Sequence, residues 1–134
     1  MPTSVLSDEI TFKKYPSTAS FKGTPAKVDF SSSSDGKLYF TRLTEGAADG
    51  PNFAGAFTVV SWGCGSNCES ITILSAKTGK ILDELGSCGW HLFTLNSTLL
   101  IVNPPGDYLK LVPGCVTEYY QWNGAKLEKI EGKN

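Results

Sequence analysis

The sequence is poor in the features by which most functions announce themselves. It has one histidine in 134 residues, and no apolar run approaches the roughly 20 residues that a membrane-spanning helix needs. Twelve Lys and Arg nearly balance thirteen Asp and Glu, which removes the electrostatic basis for sequence-independent nucleic-acid binding. No polybasic cluster is present to hold an anionic membrane, no glycine-rich phosphate loop stands out, and no nucleophile-elbow sequence surrounds any serine. The start, Met1-Pro2-Thr3-Ser4, lacks the charged and apolar regions of a signal peptide, which by itself implies the cytosol.

The cysteines imply the opposite. Cys64, Cys68, Cys88 and Cys115 are an even number in a small chain, the pattern of a disulfide framework formed in an oxidising compartment. Both indications are met by a mature periplasmic or secreted protein whose signal peptide has been removed, with Met1 an addition. At 40% hydrophobic and 11% aromatic residues, the chain suffices for a single domain over 1–134 that buries a core.

Residues 1–30 alternate short apolar pieces with Pro16, Gly23 and Pro25, and read as a loop-rich lead-in with possible edge strands. Within Ser31-Ser32-Ser33-Ser34-Asp35-Gly36, Ser or Asp caps a helix. Tyr39, Phe40, Leu43 and Ala47 then recur at helical spacing until Gly50-Pro51, which predicts a helix over 35–48. Phe57 to Trp62 are aromatic, β-branched or small and uninterrupted by Gly or Pro, the pattern of a central strand leading into a glycine- and cysteine-rich loop. Three hairpins follow, turning at Lys77-Thr78-Gly79-Lys80, at Asn96-Ser97 and at Asn123-Gly124. The expected fold is α+β and mostly β. It is an antiparallel meander of hairpins in a twisted or partly rolled sheet, propeller-blade-like, with one helix and disulfide staples; the chain is too short to close a propeller.

Gly50-Pro51-Asn52-Phe53-Ala54-Gly55, Trp62-Gly63-Cys64-Gly65 with Cys68, Lys77-Thr78-Gly79-Lys80 and Tyr119-Tyr120-Gln121-Trp122-Asn123-Gly124 follow one another in an order that resembles a group of small exported bacterial proteins of unknown function. The resemblance covers about residues 25–130 and implies export without an assigned catalysis. It departs from the group at Ala56, where a polar aromatic such as His follows Phe-Ala-Gly, so no role resting on that side chain carries over.

Of the three pairings open to four cysteines, spacing favours Cys64–Cys68 and Cys88–Cys115. The first closes the tight glycine-rich loop. The second closes the longer one and contributes roughly 3 kcal/mol in the chain-entropy account. Redox motifs separate their cysteines by two residues at a helix start, whereas Cys64 and Cys68 are separated by three and follow a strand. Structural zinc needs two close-spaced ligand pairs and only one exists, so neither a metal nor another cofactor is expected. His91 has Cys88, Ser87 and Asp83 within reach in sequence, yet a bonded sulfur cannot attack, and a hydrogen-bonding histidine at a strand start is the simpler account. Asp83 and Glu84 are adjacent and point to opposite faces of a strand, and Glu69 and Glu118 converge only if the fold brings them together. No catalytic residue is assigned, and the chain is read as a non-enzyme.

What remains is a stapled β-scaffold presenting short loops, which is the composition of a protein-binding module. The expected role is an inhibitor or immunity protein that blocks a toxin or peptidoglycan hydrolase, with Ser66, Asn67, Ser87, Trp90 and His91 on the binding loops. An envelope enzyme using His91 and a structural envelope protein are the alternatives.

Overall fold

In a computed structural model of the chain, residues 11–32 and 39–130 are described. Among them are one α-helix, α1 (Phe40–Ala48), and seven strands. Strands β1 (Phe57–Gly65), β2 (Cys68–Ser75) and β3 (Ile81–Ser87) form one antiparallel sheet in that order. Strands β4 (His91–Leu92), β5 (Leu99–Val102), β6 (Glu118–Trp122) and β7 (Leu127–Lys129) form a second, also in chain order. Among the described residues the fold is mostly β with one α-helix and two disulfides, and neither sheet closes.

Strand periodicity divides the core. Alternate residues of β1 and β2 enter different clusters: Val59, Ile71 and Ile73 pack with Leu100, Val102 and Trp122 of the second sheet, while Val60, Trp62 and Leu74 pack with Leu43 and Ala47 of α1. The first sheet is therefore the middle of three layers, with the helix on one face and the second sheet on the other. Ile71 and Ile73 have no exposed surface, and burying each such side chain stabilises the fold by about 1.5–3 kcal/mol.

The strand expected to be central is an edge. β2 lies in the middle, and among the described strands β1 pairs with β2 alone, with an isolated bridge from Phe57 to Phe53. Its apolar run on both faces reflects burial between helix and second sheet, which periodicity cannot separate from a central position. The side chain of Asn52 covers the open side: its Oδ1 accepts from the Val59 N–H at 2.8 Å, and its Nδ2 donates to the Val59 carbonyl at 3.2 Å. Gly63, Cys64 and Gly65, expected in a loop, continue β1, and the reversal occurs over Ser66 and Asn67.

The helix begins later than the periodicity implied. Its N-cap is Tyr39, which makes no side-chain capping bond, and residues 33–38 lie outside the described residues. Ser31 and Ser32 do not cap it; they belong to a 3-10 turn, Phe30–Ser32, where both hydroxyls bond to Asp29 and the Ile81 N–H donates to Ser32 Oγ at 2.8 Å. In the lead-in, residues 11–30 make isolated bridges, Pro16 with Ser97 and Asp29 with Lys80, rather than edge strands; residues 1–10 lie outside the described residues.

All three hairpin turns form. At the first, Gly79 has φ +78° and lies so close to the lead-in that a Cβ would stand 1.9 Å from the Lys27 carbonyl oxygen, so only glycine fits. The second is shorter than its sequence, with β4 reduced to two residues. Gly55 takes the Leu95 carbonyl and Ser17 the Asn96 carbonyl, drawing that stretch away from β5.

Candidate functional site

β3 ends at Ser87 and β4 begins at His91, and the three residues between them pass from one sheet to the other. Asn103, at the end of β5, holds this turn. Its φ of +54° is a left-handed conformation that Asn tolerates better than most residues. Its Oδ1 accepts from the N–H groups of Cys88 (3.0 Å) and Gly89 (3.1 Å), and its own N–H donates to the Trp90 carbonyl (2.8 Å). Its Nδ2 donates to the Val116 carbonyl at 3.0 Å, and its carbonyl accepts from Thr117 Oγ1 at 2.6 Å.

Two further constraints act on the same turn. Cys88 is bonded to Cys115, with Cα atoms 6.0 Å apart. The Tyr108 ring lies so close to Gly89 that a Cβ there would stand 2.5 Å from it, and the Tyr108 hydroxyl donates to the Pro104 carbonyl at 2.6 Å. Burial pushes the Tyr108 phenol above its ordinary range. From this fixed turn the Trp90 side chain projects with 57% of its surface exposed.

Beside Trp90 lies a partly buried polar cluster. Glu69 Oε1 accepts from the Ser87 hydroxyl at 2.8 Å and faces His91 Nδ1 at 2.9 Å. Glu69 stands opposite Ser87 in the β2–β3 register, and His91 belongs to the second sheet, so one carboxylate joins the two sheets at this end. The His91 ring stacks on Phe93 at 5.5 Å and tilts against Trp90 at 5.8 Å.

Of the five residues expected to face a partner, the structure separates two from three. Ser66, Asn67 and Trp90 are exposed, whereas Ser87 and His91 are 9% and 8% exposed. Both side chains contact Glu69 Oε1. Ser66 and Asn67 form the reversal after β1, closed by the Cys64–Cys68 bond, whose Cα atoms are 5.1 Å apart. Because Glu69 pairs with Ser87, that reversal and the Cys88–Trp90 turn leave the first sheet at the same end. Both disulfides are the pairs that spacing favoured, and no described cysteine is free.

The arrangement of Ser87, Glu69 and His91 is not that of a hydrolase triad. There the imidazole lies between hydroxyl and carboxylate and removes the hydroxyl proton. Here the carboxylate lies between the other two, and both contacts end on the same oxygen.

Two other carboxylates weighed from the sequence, Asp83 and Glu118, are engaged elsewhere. Asp83 accepts from the Glu84 and Leu127 N–H groups, fixing β7 to β3. Glu118 accepts from the Tyr120 hydroxyl at 2.8 Å and from Lys129 Nζ at 3.1 Å, and the Tyr120 bond is the main reason its carboxyl lies below the ordinary range. Burial, aided by Glu118, pushes the Tyr120 phenol up to about 12. Among the described residues no group of three or more His, Cys, Asp or Glu is placed to hold a metal ion. No helix in the described residues is long and apolar enough to cross a membrane.

Glu69, Asn103 and Tyr108 were not assigned to the site from sequence. Asn103 carried a signal, since Asn before Pro104-Pro105-Gly106 at the end of an apolar strand marks a residue able to take positive φ. Glu69 and Tyr108 carried none, because their roles depend on which layers meet. Comparison with protein-family models, curated proteins and solved structures gives no match.

Proposed function

We propose that the chain is an exported bacterial protein-binding module, an inhibitor or immunity protein that blocks a toxin or peptidoglycan hydrolase, with Trp90 as the anchor. The observation that carries this reading is a large aromatic, 57% exposed, on a turn held by a disulfide, by Asn103 and by the Tyr108 ring. Trp is the residue type most often dominant in protein interfaces, and a turn fixed beforehand avoids the ordering cost that a flexible loop meets on binding. Two disulfides with no free described cysteine support export. Ser66 and Asn67 offer small polar groups at the same end of the sheet, where they can accompany Trp90 into a cleft. Glu69, Ser87 and His91 act as positioning residues in this reading, and their burial gives the envelope-enzyme alternative no support.

The test is capture from bacterial periplasmic extract on the immobilised oxidised protein, followed by assay of whatever is captured. The expected result is a stoichiometric complex with a peptidoglycan hydrolase or toxin that loses activity on binding. Trp90→Ala should weaken that complex by at least about thirtyfold, the effect of an interface anchor worth about 2 kcal/mol. Equal capture by both proteins, or a captured enzyme whose activity is unchanged, would discard this reading.

A further inference from the structure

At the opposite end of the first sheet from Trp90, a cleft of about 590 Å³ separates α1 from the lead-in strand of chain at residues 24–30. Its volume falls within the roughly 300–1,000 Å³ of small-molecule sites. The walls are largely apolar, built from Pro25, Val28, Phe30, Phe40, Ala47 and Ala48, and among the described residues the single charged one that lines it is Lys27.

The gap follows from the way its walls are anchored. The lead-in backbone is hydrogen-bonded to the β2–β3 turn, the Ala26 N–H donating to the Ala76 carbonyl and the Asp29 N–H to the Gly79 carbonyl, each at 2.8 Å, while its Val28 and Phe30 pack against the cluster that contains Leu43 and Ala47 of the helix. The helix is fixed to β1 through Leu43, Ala47 and the close approach of Gly46 to Val60. The backbones of the two walls are thus held by different partners, the β2–β3 turn and β1. Phe30 and Phe40 stack at 5.0 Å and shut one end, while Phe40 keeps more than half its surface exposed.

Lys27 is exposed, and among the described residues no carboxylate pairs with it. An apolar slot with one unopposed ammonium group selects an apolar chain ending in one negative charge. We propose that this cleft binds the acyl chain of a free fatty acid, with the carboxylate at Lys27. The site is independent of the Trp90 surface, and either can fail without the other.

Calorimetric titration of the whole oxidised chain with decanoate and with decyltrimethylammonium, both below micellar concentrations, tests it. The expected result is one decanoate per chain, bound more tightly than the cation by about fivefold, the effect of an exposed charge pair on each probe. Lys27→Glu should reverse that order. Ala48→Trp, which places a ring in the slot from the last helical residue, should abolish binding of both. If Ala48→Trp does not fold, the charge reversal at Lys27 decides alone. No saturable decanoate binding by the native chain would overturn the proposal, as would an order indifferent to Lys27→Glu.

Discussion

Asn103 meets Cys88, Gly89, Trp90, Val116 and Thr117 through its side chain and backbone together. Replacing it by alanine leaves two amide donors without an acceptor and puts a Cβ-bearing residue with no stabilising side chain at φ +54°. The donors are partly solvated, so each costs toward the low end of about 1–3 kcal/mol. Asn103→Ala should therefore lower stability in urea unfolding by about 2 kcal/mol. Tyr120 gives a second prediction. Its folded pKa of about 12 lies above the ordinary 10.0, so the neutral phenol is the form the fold favours. That contribution is complete below pH 10 and is lost as pH rises towards 12. Unfolding midpoints of the wild type should fall across this window more steeply than those of Tyr120→Phe, which has no proton to lose there.

The contact between α1 and β1 turns on one glycine. A Cβ at Gly46 would lie 2.5 Å from Val60 Cγ2 and 2.9 Å from Cγ1, so the helix can lie this close to the strand only without a side chain. Helix propensity favours alanine there by about 1 kcal/mol. Overpacking costs about 1–3 kcal/mol and opposes it. Gly46→Ala should be net destabilising by about 1 kcal/mol, and the sign should reverse in the background of Val60→Ala, where propensity alone remains. A double-mutant cycle in urea reads the difference directly. The sequence marked this segment as a helix from its apolar spacing but could not show why Gly46 sits in it, since the reason lies on β1. The same holds for Asn52, whose amide completes an edge that the sequence presents as a central strand.

Across the whole molecule the two disulfides do different work. Cys64–Cys68 spans four positions and Cys88–Cys115 spans 27. In the chain-entropy account these closures are worth about 2 and about 3.5 kcal/mol, and the longer one also ties the Trp90 turn to the segment before β6. Replacing Cys88 and Cys115 together by serine should cost more stability than replacing Cys64 and Cys68, and only the former should also weaken capture of a Trp90-dependent partner. Equal losses in urea unfolding would show that the unfolded chain is not the state these bonds act on.

The hairpins and the Cys64–Cys68 bond were legible in the sequence because each depends on residues close along the chain, Thr78-Gly79, Asn123-Gly124 and two cysteines four positions apart, and Cys88–Cys115 is the pair that then remains. Mostly-β character and one helix were legible for the same reason, since side-chain periodicity is a local property. Only the tertiary structure decided that the meander breaks into two sheets at Cys88–Trp90 and that the first sheet is covered on both faces. The burial of His91 and Ser87 against Glu69, and the exposure of Trp90 beside them, were decided at the same level. Nothing in Gly86-Ser87-Cys88-Gly89-Trp90-His91 says which side chain turns inward. That is set by Glu69, Phe93, Asn103 and Tyr108, brought there from other elements by apolar burial between layers, a force that has no direction along the chain.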